Sequence, residues 1–232
     1  MRRHPMLMAA LVALLVGGCA KFPTSSTGAT TKRITFTMTI AGGLNPNYVY
    51  IVALNPSVEV NPTTTGPVPV VAAPWGNGFV AGGCTYFVQW IPSQSPDYGI
   101  FKFTDSTLNN FVQTGVPVTY VDPQSGGHVL NFTIDLSQIA DSADTANQYQ
   151  SLQVNFLTMD RTPRGSSGGS KNWDAIGDGN NPGQINDYLT IPLRTDGTYN
   201  NAFYSGIEPT GDVVSDGDPA LDITDFSVQV QG

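Results

Sequence analysis

Histidine, cysteine, glutamate and positive charge are all scarce in this 232-residue chain, and each shortage closes off a class of chemistry. The histidines are His4 and His128, and the cysteines are Cys19 and Cys84. Zinc takes imidazole and thiolate ligands grouped at short spacings, so one His in the body of the chain and no Cys pair exclude an ordinary zinc site. Serine-relay chemistry would rest on His128, which opens a predicted strand and reads as a strand-edge residue. The Gly165–Ser170 run resembles a nucleophile elbow only superficially, because no apolar strand precedes it. No glycine loop followed by Lys-Ser/Thr offers a phosphate cradle. Ten Lys and Arg face eighteen Asp and Glu, so nucleic acid is disfavoured as a partner, since phosphates need a basic footprint. The longest apolar run, Met6–Val16, covers about 11 residues, short of the roughly 20 that cross a bilayer as a helix.

That short run has a defined setting. Arg2 and Arg3 precede it, Gly17 and Gly18 close it, and Cys19 follows. A charged start, an apolar core and a small-residue end are the three parts of a secretory signal. The ending Val16-Gly17-Gly18-Cys19 resembles the lipobox of bacterial lipoproteins, in which an aliphatic and two small residues lead into an obligatory Cys. The resemblance implies cleavage before Cys19, diacylglycerol on its sulfur and, in many bacteria, acylation of the new amino terminus. Two or three acyl chains anchor a protein firmly where one binds only marginally. By the same resemblance, Ala20 rather than Asp after the Cys points to the outer membrane in a Gram-negative host. In a Gram-positive host the address is the outer face of the plasma membrane. With Cys19 lipidated, Cys84 has no intramolecular partner and reads as a buried, inert thiol. The remainder resembles surface lipoproteins of bacteria, with no family whose functional residues carry over.

The predicted organisation is a signal peptide over 1–18, a lipidated Cys and flexible tether over 19–32, and one domain over 33–232. The tether is polar, small and without periodicity, and it extends to roughly 45 Å at most. From Arg33 onward, Ile34, Phe36, Met38 and Ile40 alternate with threonines, which predicts a strand with one wet face. Tyr48–Leu54 is apolar throughout and predicts a strand buried on both faces. Further strands are expected over 67–72, 85–91, 99–103, 116–121, 128–135, 152–157, where Leu152, Val154 and Phe156 alternate, and 188–193. A last one presents Phe226, Val228 and Val230 inward, stitching the end of the chain into a sheet. Asn-Pro pairs at 45–46, 55–56, 61–62 and 181–182 mark turns. Asp135-Leu-Ser-Gln138 has capping-box spacing, so one short helix or helical turn is expected between about 136 and 149. The predicted class is all-β: an antiparallel β-sandwich of immunoglobulin-like or jelly-roll type, with about ten strands.

Charge is unevenly placed. Without its first 18 residues the formal charge falls from −8 to −10, and from Ile134 onward 14 acids face four bases. Two loops concentrate the acids. Asp174, Asp178 and Asn180 sit in the long polar segment 161–183, and Asp212, Asp216 and Asp218 crowd a second loop. Short acidic loops supply the oxygens that calcium takes, so these six residues are the candidate calcium ligands, although neither loop matches an EF-hand. Trp75 and Trp173 lie in turn-like segments and are candidates for stacking on a sugar, whereas Trp90 reads as core. Glu59 and Glu208 are the only glutamates, and nothing in the spacing selects a carboxylate pair. The expected function is a membrane-anchored, non-catalytic β-sandwich that binds a glycan or surface protein or serves as an envelope component. A polysaccharide hydrolase using Asp and Glu is the alternative, and a pilus or matrix subunit is the third reading.

Overall fold

Alternation is what builds the first sheet. Along β1 (Arg33–Ile40) the residues Ile34, Phe36, Met38 and Ile40 are each at most 1 % exposed, while the intervening threonines face outward. The computed structural model describes residues 32–72, 76–124, 126–164 and 169–232. The signal segment, Cys19, Trp75 and most of the Gly165–Ser170 run therefore lie outside the described residues. Strand β1 is central, flanked by β9 (Val129–Asp135) and β14 (Ile223–Gln231), with β8 (Thr119–Val121) and β13 (Gly197–Asn200) at the edges. Every pairing is antiparallel. On the outer face Thr35 and Thr133 share a hydroxyl hydrogen bond at 2.9 Å, and Asn131 donates to Thr37 at 2.8 Å. Such cross-strand polar pairs fix register on the wet side.

The second sheet has seven strands. β2 (Val49–Ser57) lies between β5 (Tyr86–Trp90) and β10 (Ser151–Met159), and β6 (Tyr98–Phe103) and β7 (Phe111–Gly115) extend it past β5. The far edge of β10 is shared by two short strands. β12 (Leu189–Pro192) pairs with Ser151–Val154, and β11 (Trp173–Ala175) pairs with Leu157–Met159. A separate hairpin is formed by β3 (Pro67–Pro69) and β4 (Val80–Gly82). The helical segment is a 3₁₀ turn over Leu136–Ile139, with both capping-box bonds made, followed by α1 (Ala143–Gln148).

The two sheets close over a core in which Phe36 stacks on Phe132 at 5.3 Å and meets Phe156 of the opposite sheet at 6.4 Å. A second apolar cluster lies on the outer side of the second sheet. It joins Ile51, Ala53, Phe87, Leu157 and Met159 to Phe79, Val80 and Trp173, so hairpin β3–β4 and nearby loops act as a partial third layer. Both faces of β2 and β10 are therefore covered. Tyr50–Leu54 are buried as expected, and all nine residues of β10 are buried, where only alternate ones were predicted to be.

The all-β antiparallel sandwich is the observed fold, with one short α-helix and fourteen strands among the described residues rather than about ten strands. The extra four, β4, β7, β11 and β13, have three to five residues each and little apolar periodicity. Two expected strands are shorter than their apolar runs. The run 67–72 is strand only to Pro69, and 116–121 is strand only from Thr119, because Pro117 has no N–H for a ladder.

One cation is enclosed by the outer cluster. Lys171 is 2 % exposed, and its Nζ donates to the Gly78 carbonyl at 2.8 Å and lies 3.7 Å from the Met159 sulfur. Burial lowers its pKa from 10.5 to about 7, against the opposing pull of Asp160. Between those values the unfolded chain holds a proton that the folded chain has released, so this group makes stability rise with pH. Relative to Lys171→Met, the native protein is expected to gain up to ~1.4 kcal/mol per pH unit from pH 7 to 10. Urea denaturation at several pH values measures this, and a difference that stays flat contradicts it.

Candidate metal centre

Three buried carboxylates meet where the two sheets share an end. Asp174 lies on β11 opposite Thr158 of β10 and is 0 % exposed. Its Oδ1 accepts from the Ala175 N–H at 2.9 Å, and its Oδ2 accepts from the Ile223 N–H at 2.7 Å. A side chain from the second sheet thus holds the first residue of β14 in the first sheet. The other two carboxylates come from the connection between β13 and β14.

That connection is tied down by its own polar groups. Asn201 brackets Glu208, accepting from its N–H at 2.9 Å and donating to its carbonyl at 2.8 Å. Val214 exchanges two backbone hydrogen bonds with Trp173, which carries Asp212 beside β11. Glu208 Oε2 accepts from the Gly177 N–H at 3.0 Å, and Asp212 Oδ2 accepts from the Gly179 N–H at 3.1 Å. Gly177 has φ +98, and a Cβ there would stand 2.4 Å from the Gln184 carbonyl oxygen, so only glycine serves as this donor. Asp222 accepts from Gly211 at 2.8 Å and adds a fourth acid close by.

One carboxylate oxygen from each of Asp174, Glu208 and Asp212 lies within 4.8 Å of the others. Glu208 is 3 % exposed and Asp212 is 5 % exposed. Glu208 Oε1 and Asp212 Oδ1 are buried and accept no hydrogen bond among the described residues. Burial, then the charges of Asp174 and Asp212, push Glu208 up to about 11. Burial raises Asp212 to about 6 against the Gly179 bond, and burial with the Asp212 charge holds Asp174 well above the carboxylate range. Three ionised carboxylates cannot share so small a buried volume without protons or a cation to balance them.

No protein-family model, no curated protein and no solved structure matches the chain. The site is therefore read from its own geometry.

Of the six candidate calcium ligands, the structure brings together Asp174 and Asp212 and adds Glu208. Asn180 supports them, donating to the Asp212 carbonyl at 2.9 Å, while Asp178 accepts from the Asn180 N–H in a local turn. Asp216 and Asp218 stand outside the cluster. Asp216 accepts from Asn172 and from the Asp218 N–H, and Asp218 accepts from Tyr48 at 2.6 Å and Ala220 at 2.9 Å. Their oxygens are occupied in holding a turn. Trp173 is corrected outright: it is 3 % exposed within the outer cluster, so its ring has no face free for a sugar. Trp90 is core, as expected, yet its Nε1 is buried with no partner among the described residues, and the residue lines a cavity of about 240 Å³ with Leu44, Pro46, Pro92 and Asp97. His128 meets the Ile40 carbonyl at 3.3 Å at the start of β9. Cys84 is buried, and burial pushes its thiol up to about 12, which suits an inert side chain.

Proposed function

We propose that the protein is an exported lipoprotein, anchored through Cys19, whose non-catalytic β-sandwich binds a glycan or surface protein or serves as an envelope component. The observation that carries this reading is the ending Val16-Gly17-Gly18-Cys19 on a short apolar run, followed by polar sequence without periodicity up to Lys32. No helix of the described residues is long and apolar enough to cross a membrane. In this reading acyl chains on Cys19 supply the attachment.

Two features favour binding over hydrolysis. A glycosidase needs two carboxyl groups facing an open cleft, about 5–5.5 Å apart in retaining enzymes and about 6.5–9.5 Å apart in inverting ones. Here the clustered carboxylates are crowded and buried, out of reach of a sugar. The cavity beside Trp90 has an aromatic and proline frame, and the Trp90 Nε1 in its wall is unpaired among the described residues, which suits a small ligand group. Val112, Val118, Val121 and Val129 add exposed apolar surface on and beside strands β7, β8 and β9, suited to a protein contact.

Cell fractionation with Cys19→Ala tests the anchor. The native chain is expected in the membrane fraction, and the variant is expected to leave it almost completely. A variant that stays membrane-bound contradicts the proposal. Glycan arrays run beside a polysaccharide hydrolysis screen test the rest; turnover abolished by changing one carboxylate would overturn the binding reading.

A further inference from the structure

Independently of how the chain is anchored, we propose that Asp174, Glu208 and Asp212 bind one divalent cation, calcium, which locks the β13–β14 connection to both sheets. Calcium takes oxygen ligands at about 2.3–2.6 Å, so two ligands of one ion stand no more than about 5 Å apart. The three carboxylate oxygens meet that limit, lying within 4.8 Å of one another. No histidine or cysteine takes part, and an all-carboxylate set suits a hard cation rather than zinc or copper.

The hydrogen bonds separate a cation from protons. Both oxygens of Asp174 accept backbone N–H groups, an arrangement that favours its ionised form. Glu208 and Asp212 each give one oxygen to a backbone N–H and leave the other, buried, with no donor. A buried acceptor without a donor is costly, and two of them stand beside Asp174, so the pocket offers open lone pairs to a cation. Water or carbonyl oxygens complete the six to eight positions calcium fills.

The ion would join separate parts of the fold. Asp174 belongs to β11 and holds the first N–H of β14, while Glu208 and Asp212 belong to the connection leading into β14. A cation shared by all three closes that connection against the sandwich.

The test uses the full chain as expressed in bacterial cells, purified and stripped with EDTA. Metal analysis after calcium dialysis is expected to return one calcium per chain. Saturating calcium should raise the melting temperature by about 5–10 °C, with magnesium giving much less. Glu208→Gln and, separately, Asp212→Asn should abolish both the stoichiometry and the shift, while Asp216→Asn keeps them. Should either carboxamide variant fail to fold, the native protein's stoichiometry and shift still decide. Neither binding nor a shift in the native protein would overturn the proposal, as would calcium retained in both variants, calcium lost only in Asp216→Asn, or an equal response to magnesium.

Discussion

Removing β14, by ending the chain at Asp222, is expected to abolish cooperative folding. β14 pairs with β1 along one side and β13 along the other, so its loss leaves β1 with an open edge and β13 with no partner. Ile223, Phe226, Val228 and Val230 are each at most 1 % exposed, and Phe226 stacks on Phe156 at 5.4 Å. Truncating one such side chain costs about 2–5 kcal/mol. Four together come to about 8–20 kcal/mol, as large as the roughly 5–15 kcal/mol that stabilises a whole domain. The Ile223 N–H that neutralises part of the Asp174 charge disappears as well. Circular dichroism and urea denaturation measure the outcome; a retained sigmoidal transition would contradict the place assigned to β14.

Asn155→Leu is expected to cost about 3–5 kcal/mol although the two side chains differ little in size. Asn155 sits on β10 between the segments covered by β12 and β11, and is 0 % exposed. Its amide donates to the Pro67 carbonyl at 2.9 Å and the Asp187 carbonyl at 3.0 Å, and its oxygen accepts from the Ile176 N–H at 3.1 Å. One side chain thereby ties the β3 hairpin and both ends of the β11–β12 connection to the sheet. Leucine leaves two carbonyls and one N–H buried and unpaired, at about 1–3 kcal/mol for each group. Urea midpoints give the difference directly, and a loss below about 1 kcal/mol would show that other groups take over these bonds.

Asn155 also shows where sequence reading stops. Alternation marks Leu152, Val154 and Phe156 as inward, and that face is as expected. The opposite face carries Gln153 and Asn155, whose polarity implies water. They are buried because residues 64, 67 and 187 fold back onto them with matching carbonyls. Satisfied polar burial leaves no periodic trace.

The capping box at Asp135, the end-of-chain strand and the inert Cys84 were all legible, because each depends on neighbours in sequence or on composition alone. The buried carboxylate cluster was legible in half. Asp174 and Asp212 stand out as acids in glycine-rich loops, but so do Asp178, Asp216 and Asp218, which make turns. What separates them is burial, set by the Trp173–Val214 bridge and by Asn201 holding Glu208. Glu208 itself had one visible mark, as one of two glutamates placed four residues before Asp212. Its distance from Asp174 in the chain hides the rest. Trp173 misleads for the same reason: a polar segment on both sides implies exposure, while the pairing with β10 turns the ring into the outer cluster.

The proposed anchoring of this sandwich rests on Cys19. Mass spectrometry of the amino-terminal peptide, taken from the membrane fraction of expressing bacterial cells, reads that residue directly. The predicted result is a peptide that begins at Cys19 and carries the added mass of a diacylglyceryl group, with or without a third acyl chain. A chain that keeps residues 1–18, or that begins elsewhere with Cys19 unmodified, would contradict it.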